Sequence, residues 1–534
     1  MQLVAYGAQD VYLTGKPQIT FFKVVYRRHT NFAVEPIQQT FNGAAEFGRT
    51  VTCNINRNGD LITKMYLVSQ LDKKTRTNWG WVRRLGLAMI ESAKIEIGGA
   101  KIDEQYGDWI NIWNELTRNT GLDSGYASMI GDVDELTSMS HNVSSTYTMY
   151  VPLTFWFNRN NGLALPLIAL QYHDVRVTVK FREACHLVNY TNSSTLPTDV
   201  KNDLMKDCYL LIDYVYLDSE ERKRFAQAAH EYLIEQLQFT GDETMNSSNV
   251  KYRLSFNHPS KYLIWATKKD RYTELSNWLA WAFDGDWDKA RDDFAKKIWL
   301  ATRAVLANDN STFTLTLGDS TIELGENPVA ATGLPTLVTA ILGKIDAQIL
   351  FDQAGTSGTS AAATTSNVVI IRNDLTMDDI NHTVAELVAL TTGGVIPTNG
   401  KAFLNNVKHS YNVRDYFNYS DAPNCYGNPV LTAKLQLNGH DRFQTRDGNY
   451  FNYVQPWQHW NNTPCDGVNS YSFALKPEEH QPSGTCNFSR IDNVTLNLTT
   501  TWTDSSDNGV IKIYCKNYNV LRIMSGMGGL AYSN

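Results

Sequence analysis

Two short stretches decide the fold, DVRVTVKF at residues 174–181 and NVTLNLTT at residues 493–500. In the first stretch Val175, Val177 and Val179 face one way, and the residues between them face the other. A period of two is typical of a β-strand with one buried face. The second stretch alternates in the same way and resembles the first. This resemblance indicates an internal duplication, which would set the architecture of the whole chain.

Three further pairs of similar stretches keep the same order along the chain. They are KMYLV from Lys64 with KYLIW from Lys261, AKIEIGG from Ala93 with AKLQLNG from Ala433, and DYVYL ending at Leu217 with NYNVL ending at Leu521. The partners lie 197 residues apart in the first pair and 340 apart in the second, a difference of 143 residues. We therefore expect two homologous β modules, of which the second carries a large insertion.

Length and composition agree with a folded protein of several units. The chain has 534 residues, and at roughly 150 residues per domain about three units are expected. Its formal charge of −7 does not suit a coat for nucleic acid, which needs many contacts from Lys and Arg to phosphate. A run of about 18 to 20 apolar residues, as a membrane-spanning helix needs, does not occur. The N-terminus is not typical of a secretory signal, so folding in the cytosol is expected.

The junction between the modules is predicted to be a short helix. After the strand that ends at Leu217, Asp218 is placed to cap a helix, with Glu221 three residues further on. The predicted organisation is an N-terminal arm, a first module, a linking helix and a second module with an insertion; the boundaries are 1–30, 31–218, 219–229 and 230–534, with the insertion at about 268–429.

No common catalytic, cofactor or metal motif is present. The sequence has no GxSxG turn, no GxxxxGK[ST] loop and no GxGxxG before a helix. Asp284, Asp286 and Asp288 resemble the start of a calcium loop, but Lys289 stands where the loop needs glycine. The seven cysteines are scattered without a CxxC pair and are predicted to be reduced. Paired carboxylates for glycoside cleavage are not excluded, so a carbohydrate-active or carbohydrate-binding β-sandwich stays open as an alternative.

Two groups of residues are candidates for contacts with partners. Lys23, Arg27 and Arg28 lie among aromatic residues near the N-terminus, a mixture that favours a protein interface or strand-edge packing over nucleic-acid binding. Several NxS or NxT sequons mark candidate glycan acceptors, although the predicted lack of a secretory route argues against their use; they include Asn310, Asn381 and Asn418.

Two all-β modules with strand signals for about eight strands each predict a pair of jelly rolls. Long stretches then resemble the major capsid proteins of nucleocytoplasmic large DNA viruses, particularly those of algal viruses and giant-virus relatives. The stretches, in order, are QLVAYGAQDVYLTGKPQITFFKVVYRRHTNFA from Gln2, IGGAKIDEQYGDWINIWNELT from Ile97, FWFNRNNGLALPLIALQYHDV from Phe155, LNGHDRF from Leu437, YSFALKPEEHQPSGTCNFSRID from Tyr471 and KNYNVLRIMSGMGGLAYSN from Lys516.

The resemblance implies an all-β double jelly roll, two tandem eight-stranded β-sandwiches with a large insertion in the second. It also implies a homotrimer of pseudo-hexagonal outline in an icosahedral shell, with no catalytic residues and no cofactor. Implied partners are neighbouring capsomers, minor capsid and penton proteins and an internal viral membrane, without direct contact to the genome. The protein would be part of the virion and be assembled in the host cytoplasm. The insertion falls outside the resemblance. Because an insertion at a strand connection must leave the sandwich and the inner face has less room, we expect it to decorate the outer surface, where glycans or a host surface are candidate contacts. An assembly scaffold of the same fold is a further alternative.

Overall fold

The computed structural model describes most of the chain outside the N-terminal segment and the insertion. The described residues are 29–72, 79–137, 146–190, 200–270, 276–278, 310–317, 320–328, 349–352, 368–371, 411–421, 427–502 and 509–532.

Most strands of the first module form two facing sheets. Its strands are β1 (Phe32–Thr40), β2 (Thr50–Asn54), β3 (Leu61–Leu71), β4 (Trp79–Trp81), β5 (Ile90–Ile97), β6 (Ala100–Gln105), β7 (Tyr147–Pro152), β8 (Leu165–Pro166), β9 (Val175–Phe181), β10 (Val188–Tyr190) and β11 (Met205–Leu217). One sheet has the order β1-β11-β3-β7, with β8 beside β3, and the other has the order β2-β9-β5-β6, while β4 and β10 pair in a separate sheet. The alternating side chains of β9 point between the sheets, where Val175, Val177 and Val179 are buried.

The second module repeats this arrangement. Its strands are β12 (His230–Met245), β13 (Asn249–Leu254), β14 (Pro259–Lys269), then β15 (Ser276–Trp278), β16 (Asn310–Leu317), β17 (Ser320–Pro328), β18 (Ile349–Asp352), β19 (Val368–Ile371) and β20 (Tyr411–Val413) of the insertion, and β21 (Val430–Leu437), β22 (His440–Asp441), β23 (Arg446–Asp447), β24 (Val468–Ser472), β25 (Cys486–Asn487), β26 (Val494–Thr500), β27 (Gly509–Met524) and β28 (Met527–Leu530). The sheet orders are β12-β27-β14-β24 and β13-β26-β21-β22.

The duplication predicted from sequence is confirmed by the sheets. All four pairs of similar stretches occupy matching places, since β3 and β14, β5 and β21, β9 and β26, and β11 and β27 hold the same positions in their sheets. Both β5 and β21 end in a tight turn with positive φ, at Gly98 and Gly99 in one module and at Asn438 and Gly439 in the other. Each module is thus a jelly roll whose two sheets each contain a row of four strands, with short additional strands beside them, and the predicted fold class is confirmed.

Helices occupy the connections. Among the described residues, the α-helices are α1 (Leu85–Ala88), α2 (Gly107–Thr117), α3 (Asp123–Ile130), α4 (Asp134–Thr137), α5 (Trp156–Arg159), α6 (Ser219–Gln227) and α7 (Gln455–His459), which continues a π-helical turn (Tyr450–Val454); 3-10 turns are Thr120–Leu122, Asn161–Leu163, Ala184–His186, Asn202–Leu204 and Phe488–Arg490. None of the helices in the described part of the chain has the length and hydropathy of a membrane span.

Helix α6 lies between the two modules in sequence, and it begins differently from the predicted capping arrangement. Asp218 is the N-cap residue, but its carboxylate makes no capping hydrogen bond. The first turn is held instead by the neighbouring module, because the Arg222 guanidinium lies 3.0 Å from the buried Asp60 carboxylate. The second oxygen of Asp60 accepts from the Leu217 amide at 2.9 Å. A single buried carboxylate therefore orients both the end of β11 and the helix.

The insertion leaves the second module after β14 and returns before β21. Its strand β20 pairs with β15 and also with β10 of the first module, through Asn412 and Tyr190. Next to this strand, the Arg414 guanidinium donates to the carbonyl oxygen of Cys185 at 2.6 Å. The returning segment therefore lies on the first module.

Candidate functional site: the contact between the two modules

Helix α2 of the first module packs on the outer face of the second module's sheet β12-β27-β14-β24. The helix starts at Gly107, where a β-carbon would collide with the carbonyl oxygens of Leu87 and Ile90, so only glycine brings the helix this close to α1 and the start of β5. Asp108, Trp109 and Trp113 follow at helical spacing on the side that meets the second module. The first turn of α2 thus delivers one carboxylate and one large aromatic ring to the contact.

Aromatic rings form the centre of this contact. The Trp109 ring lies 5.3 Å from the Tyr514 ring and 6.4 Å, nearly parallel, from the Tyr262 ring. Trp113 meets Trp460 edge to face at 5.9 Å. Such pairs add about 0.5–1.5 kcal/mol each beyond the apolar area they bury. The two modules are therefore joined by a well-packed core and not by a flexible tether alone.

A buried carboxylate of the first module pairs with two lysines of the second. Asp108 contacts the Lys268 ammonium through one oxygen, and the Lys512 ammonium lies 3.4 Å from the other. The Tyr419 hydroxyl also donates to Asp108, at 3.2 Å. Burial alone would raise the pKa of Asp108, but the attraction of the two ammonium groups outweighs it and holds that pKa well below its usual range. Burial lowers the pKa of Lys268 to about 8.

A second buried cluster centres on Glu235 of β12. Its carboxylate pairs with the Arg159 guanidinium of the first module and with the Lys261 ammonium at 2.8 Å. The attraction of Arg159 and a hydrogen bond from His480 outweigh burial and hold the pKa of Glu235 below its usual range. Breaking one partner of such a buried pair typically costs about 3–5 kcal/mol. Arg159 also stacks over the Trp113 ring, with the guanidinium carbon 4.7 Å from the ring centre.

Direct hydrogen bonds set the register of the contact. The Leu237 amide donates to the Asp103 carboxylate at 2.9 Å, and the Gln236 side chain donates to the carbonyl oxygen of Ile102. Both acceptors lie on β6, directly before α2. Charged pairs, hydrogen bonds and rings of defined geometry together allow one relative orientation of the modules. This arrangement is suited to holding the two modules at a constant angle.

Of the residues predicted from sequence as contact sites, the structure describes Asn310 and Asn418. Lys23, Arg27 and Arg28 are outside the described residues, as is Asn381. Asn310 is the first residue of β16, opposite Pro328. Asn418 is 1% exposed, and its side-chain oxygen accepts from the Ser420 amide and hydroxyl. A glycan on Asn418 would require the core to open, so the folded chain does not fit the predicted acceptor at this position.

The residues of the module contact were missed by sequence reasoning, although one signal was present. Lys268 and Lys269 end a strand in which every position after Pro259 is buried. A buried lysine in an apolar strand needs a counter-charge, which points to a charged contact. The partner Asp108 lies 160 residues earlier in the chain, and nothing in the sequence connects the two residues.

One group of potential metal ligands occurs among the described residues. Glu183, Cys185 and His186 place their ligand atoms within 4.8 Å of one another. A structural zinc site takes four ligands, and this group supplies three. Burial raises the pKa of the Cys185 thiol, and the Glu183 carboxylate, which lies 3.4 Å from the sulfur, raises it further. This disfavours the thiolate that a metal requires.

Comparisons with known proteins cover the whole chain. The family model described as large eukaryotic DNA virus major capsid protein matches residues 221–529, and the model of the major capsid protein N-terminus matches residues 20–218. The major capsid protein of Phaeocystis pouchetii virus is 42% identical, and capsid protein 1 of Acanthamoeba polyphaga mimivirus is 41% identical; each alignment covers 100% of this chain and 99% of the relative. The capsid structure of PBCV-1 matches with a TM-score of 0.61 and 33% identity, covering 96% of this chain and 100% of that one.

The paired sandwiches and the rigid contact between them define a double jelly-roll capsid protein. The matches then specify the family. The chain belongs to the large eukaryotic DNA virus major capsid proteins. Its function is structural, as a self-associating component of the virion shell, and the comparisons do not favour a carbohydrate-active sandwich.

Proposed function

We propose that three copies of this chain form a capsomer of pseudo-hexagonal outline. The observation that carries this proposal is the matching strand order of the two modules, β1-β11-β3-β7 and β2-β9-β5-β6 against β12-β27-β14-β24 and β13-β26-β21-β22. Two similar modules per chain, repeated around a threefold axis, give a ring of six similar modules. The rigid contact between the modules supports the same arrangement, because it holds the two modules of one chain at one angle. We infer that the role is purely structural, without catalysis.

The assembly is tested on the purified full-length chain. Light scattering coupled to size exclusion is expected to give three times the chain mass of 60.3 kDa. Negative-stain images are expected to show hexagonal particles with three lobes. A monomer at micromolar concentration with no hexagonal particles would contradict the proposed assembly. Recovery of the chain from purified virions would distinguish a coat protein from an assembly scaffold.

We propose the division of the chain into an arm (1–30), a first jelly roll (31–218), a linking helix (219–229) and a second jelly roll (230–534) with its insertion at about 268–429. The position of α6 between β11 and β12 supports the central boundary. The two family models, which end and begin on either side of residue 219, support it as well.

The arm and the insertion are proposed to lie on opposite surfaces of the shell. Phe32, the first residue of β1, pairs with Leu217 at the end of β11, which leads through α6 to His230 at the start of β12. The insertion leaves from Lys269, which pairs with Gly509 beside the far end of β12. The sixteen residues of β12, at about 3.3 Å each, span roughly 50 Å. The arm and the insertion therefore start from opposite ends of the strands.

We place the insertion on the outer surface and the arm on the inner surface. There, Lys23, Arg27 and Arg28 would contact acidic lipid of an internal membrane or minor capsid and penton proteins. The insertion would face glycans or a host surface, and assembly would take place in the host cytoplasm. A map of the assembled shell is expected to show the insertion density outside, and removal of residues 1–30 is expected to release the minor proteins. Insertion density on the inner surface, or normal minor-protein content after the truncation, would contradict these placements.

A further inference from the structure

The helical segment 450–459 in the second module is the counterpart of α2 in the first. Each follows a short strand at the edge of the corresponding sheet, and each is preceded or started by a glycine pressed against a carbonyl oxygen. For Gly107 that oxygen belongs to Leu87, and for Gly448 it belongs to Val430. A β-carbon at either position would collide with the backbone. The two glycines therefore place the helices at equivalent points of the two modules.

The two helices differ in what covers them. Counting from the glycines pairs sequence positions of the two helices, although the π-helical turn rotates the side chains of the second helix relative to those of α2; Trp109, Ile112, Trp113 and Leu116 stand at the positions of Tyr450, Tyr453, Val454 and Trp457. In the first module Trp109 is 1% exposed and Leu116 is fully buried. In the second module Trp457 is 82% exposed, and Tyr453 and Val454 are 41% exposed each. Helix α2 thus buries Trp109 and Leu116, whereas the helix of the second module leaves an apolar surface of Tyr453, Val454 and Trp457 exposed.

The surface that receives α2 also has an uncovered counterpart. Helix α2 of the first module packs on outward-facing residues of β14 and β27 in the second module. Two of these residues, Tyr262 and Tyr514, are fully buried. The corresponding strands of the first module are β3 and β11, whose outward-facing residues include Tyr66 and Leu211, paired side by side. Both are only partly buried, and Tyr150 on the neighbouring β7 is 39% exposed.

We propose that Tyr453, Val454 and Trp457 of one copy dock on the outer face of sheet β1-β11-β3-β7 of a second copy. This docking repeats between chains the contact that α2 makes within one chain. The inference rests on the proposed self-association and assigns the surfaces that carry it. The contact is head to tail, because helix and sheet belong to different modules, and such contacts close into rings when the rotation allows. Three chains with the same angle at every contact close a ring of six modules.

The receiving face has room for a large side chain. A cavity of about 680 Å³ opens at the edge of this face, next to the contact between the two modules; Tyr66 and Pro152 of the face line it together with Arg159, Glu235 and His480 of that contact. Tryptophan and tyrosine are the residues that most often dominate interface energies, and they do so when buried in such pockets. An exposed stripe of Tyr, Val and Trp facing a partly aromatic sheet fits a second copy of this chain better than a polar ligand.

The test compares three variants of the full chain with the wild type by light scattering. W457E places a charge on the docking helix, and Y150E places one on the receiving sheet. L122E is the matched control, because Leu122 is 68% exposed and lies on neither surface. We expect W457E and Y150E to weaken association by about 30-fold or more, as loss of an interface hot spot does. L122E is expected to assemble like the wild type.

Each outcome separates this inference from the proposed trimer. A monomeric wild type would refute the proposed assembly itself. A trimeric wild type with trimeric W457E or trimeric Y150E would overturn the assigned surfaces and leave the trimer standing. Near-ultraviolet circular dichroism checks that each variant is folded. If W457E does not fold, Y150E and a milder W457A decide the question by the same measurement.

Discussion

Replacing Asp108 with alanine is expected to lower the free energy of unfolding by about 3–5 kcal/mol. The substitution leaves the Lys268 ammonium, which is 2% exposed, without its carboxylate partner. It also removes a partner of Lys512 and the acceptor of the Tyr419 hydroxyl. Because these groups join the two modules, the loss affects their contact first. Denaturant unfolding followed by tryptophan fluorescence measures the effect, since Trp109 lies within the contact.

The double variant D108L/K268M is the control for this prediction. It replaces both charges with apolar groups, and such replacements of buried pairs are often neutral or stabilising. A double variant as unstable as D108A would show that packing and not charge explains the loss. A change below about 1 kcal/mol in D108A, the value of an ordinary surface pair, would contradict a buried ion pair at this position.

The pair of Asp108 and Lys268 also makes the free energy of unfolding depend on pH in the acidic range. The pKa of Asp108 is lower in the folded chain than its ordinary value of 3.8, so the unfolded chain binds a proton that the folded chain does not. The stabilisation is therefore present above pH 3.8 and is lost as the pH falls below it. In D108N this part of the acid dependence is expected to disappear.

Replacing Trp109 with alanine is expected to cost about 3–5 kcal/mol. The ring is 1% exposed and lies among Tyr262, Tyr514 and Trp113. The Lys516 ammonium stands 5.8 Å from its centre. Truncation leaves a cavity between two rigid sandwiches that cannot collapse to fill it, which places the cost at the high end for a core residue. The unfolding midpoint in denaturant or heat gives the measurement.

Two comparisons bracket the Trp109 prediction. W109F keeps an aromatic ring in the contact and is expected to lose less than half as much stability. L122A removes an apolar side chain that is 68% exposed and is expected to change stability by no more than about 0.5 kcal/mol. Equal effects of W109A and L122A would contradict the central role given to the ring.

Much of the fold could be predicted because it depends on patterns between residues that are close in sequence and on similar stretches within the chain. The alternation of Val175, Val177 and Val179 predicted β9, and the matching stretch predicted β26. Similar stretches in constant order predicted that the modules are copies. The details of helix α6 could not be predicted, because the carboxylate that orients its first turn is Asp60, more than 150 residues away, and not the adjacent Asp218.

The sequence by itself determined that the chain folds into two similar sandwiches, because side-chain alternation and internal similarity depend only on the order of residues. Only the tertiary structure decided which outer faces are buried. Tyr66 and Tyr262 both face outward on matching strands, yet Tyr66 is partly exposed and Tyr262 is fully buried. The difference arises because helix α2 covers one sheet and leaves its counterpart uncovered. Burial depends on which surface lies opposite, and residues far apart in sequence supply that surface.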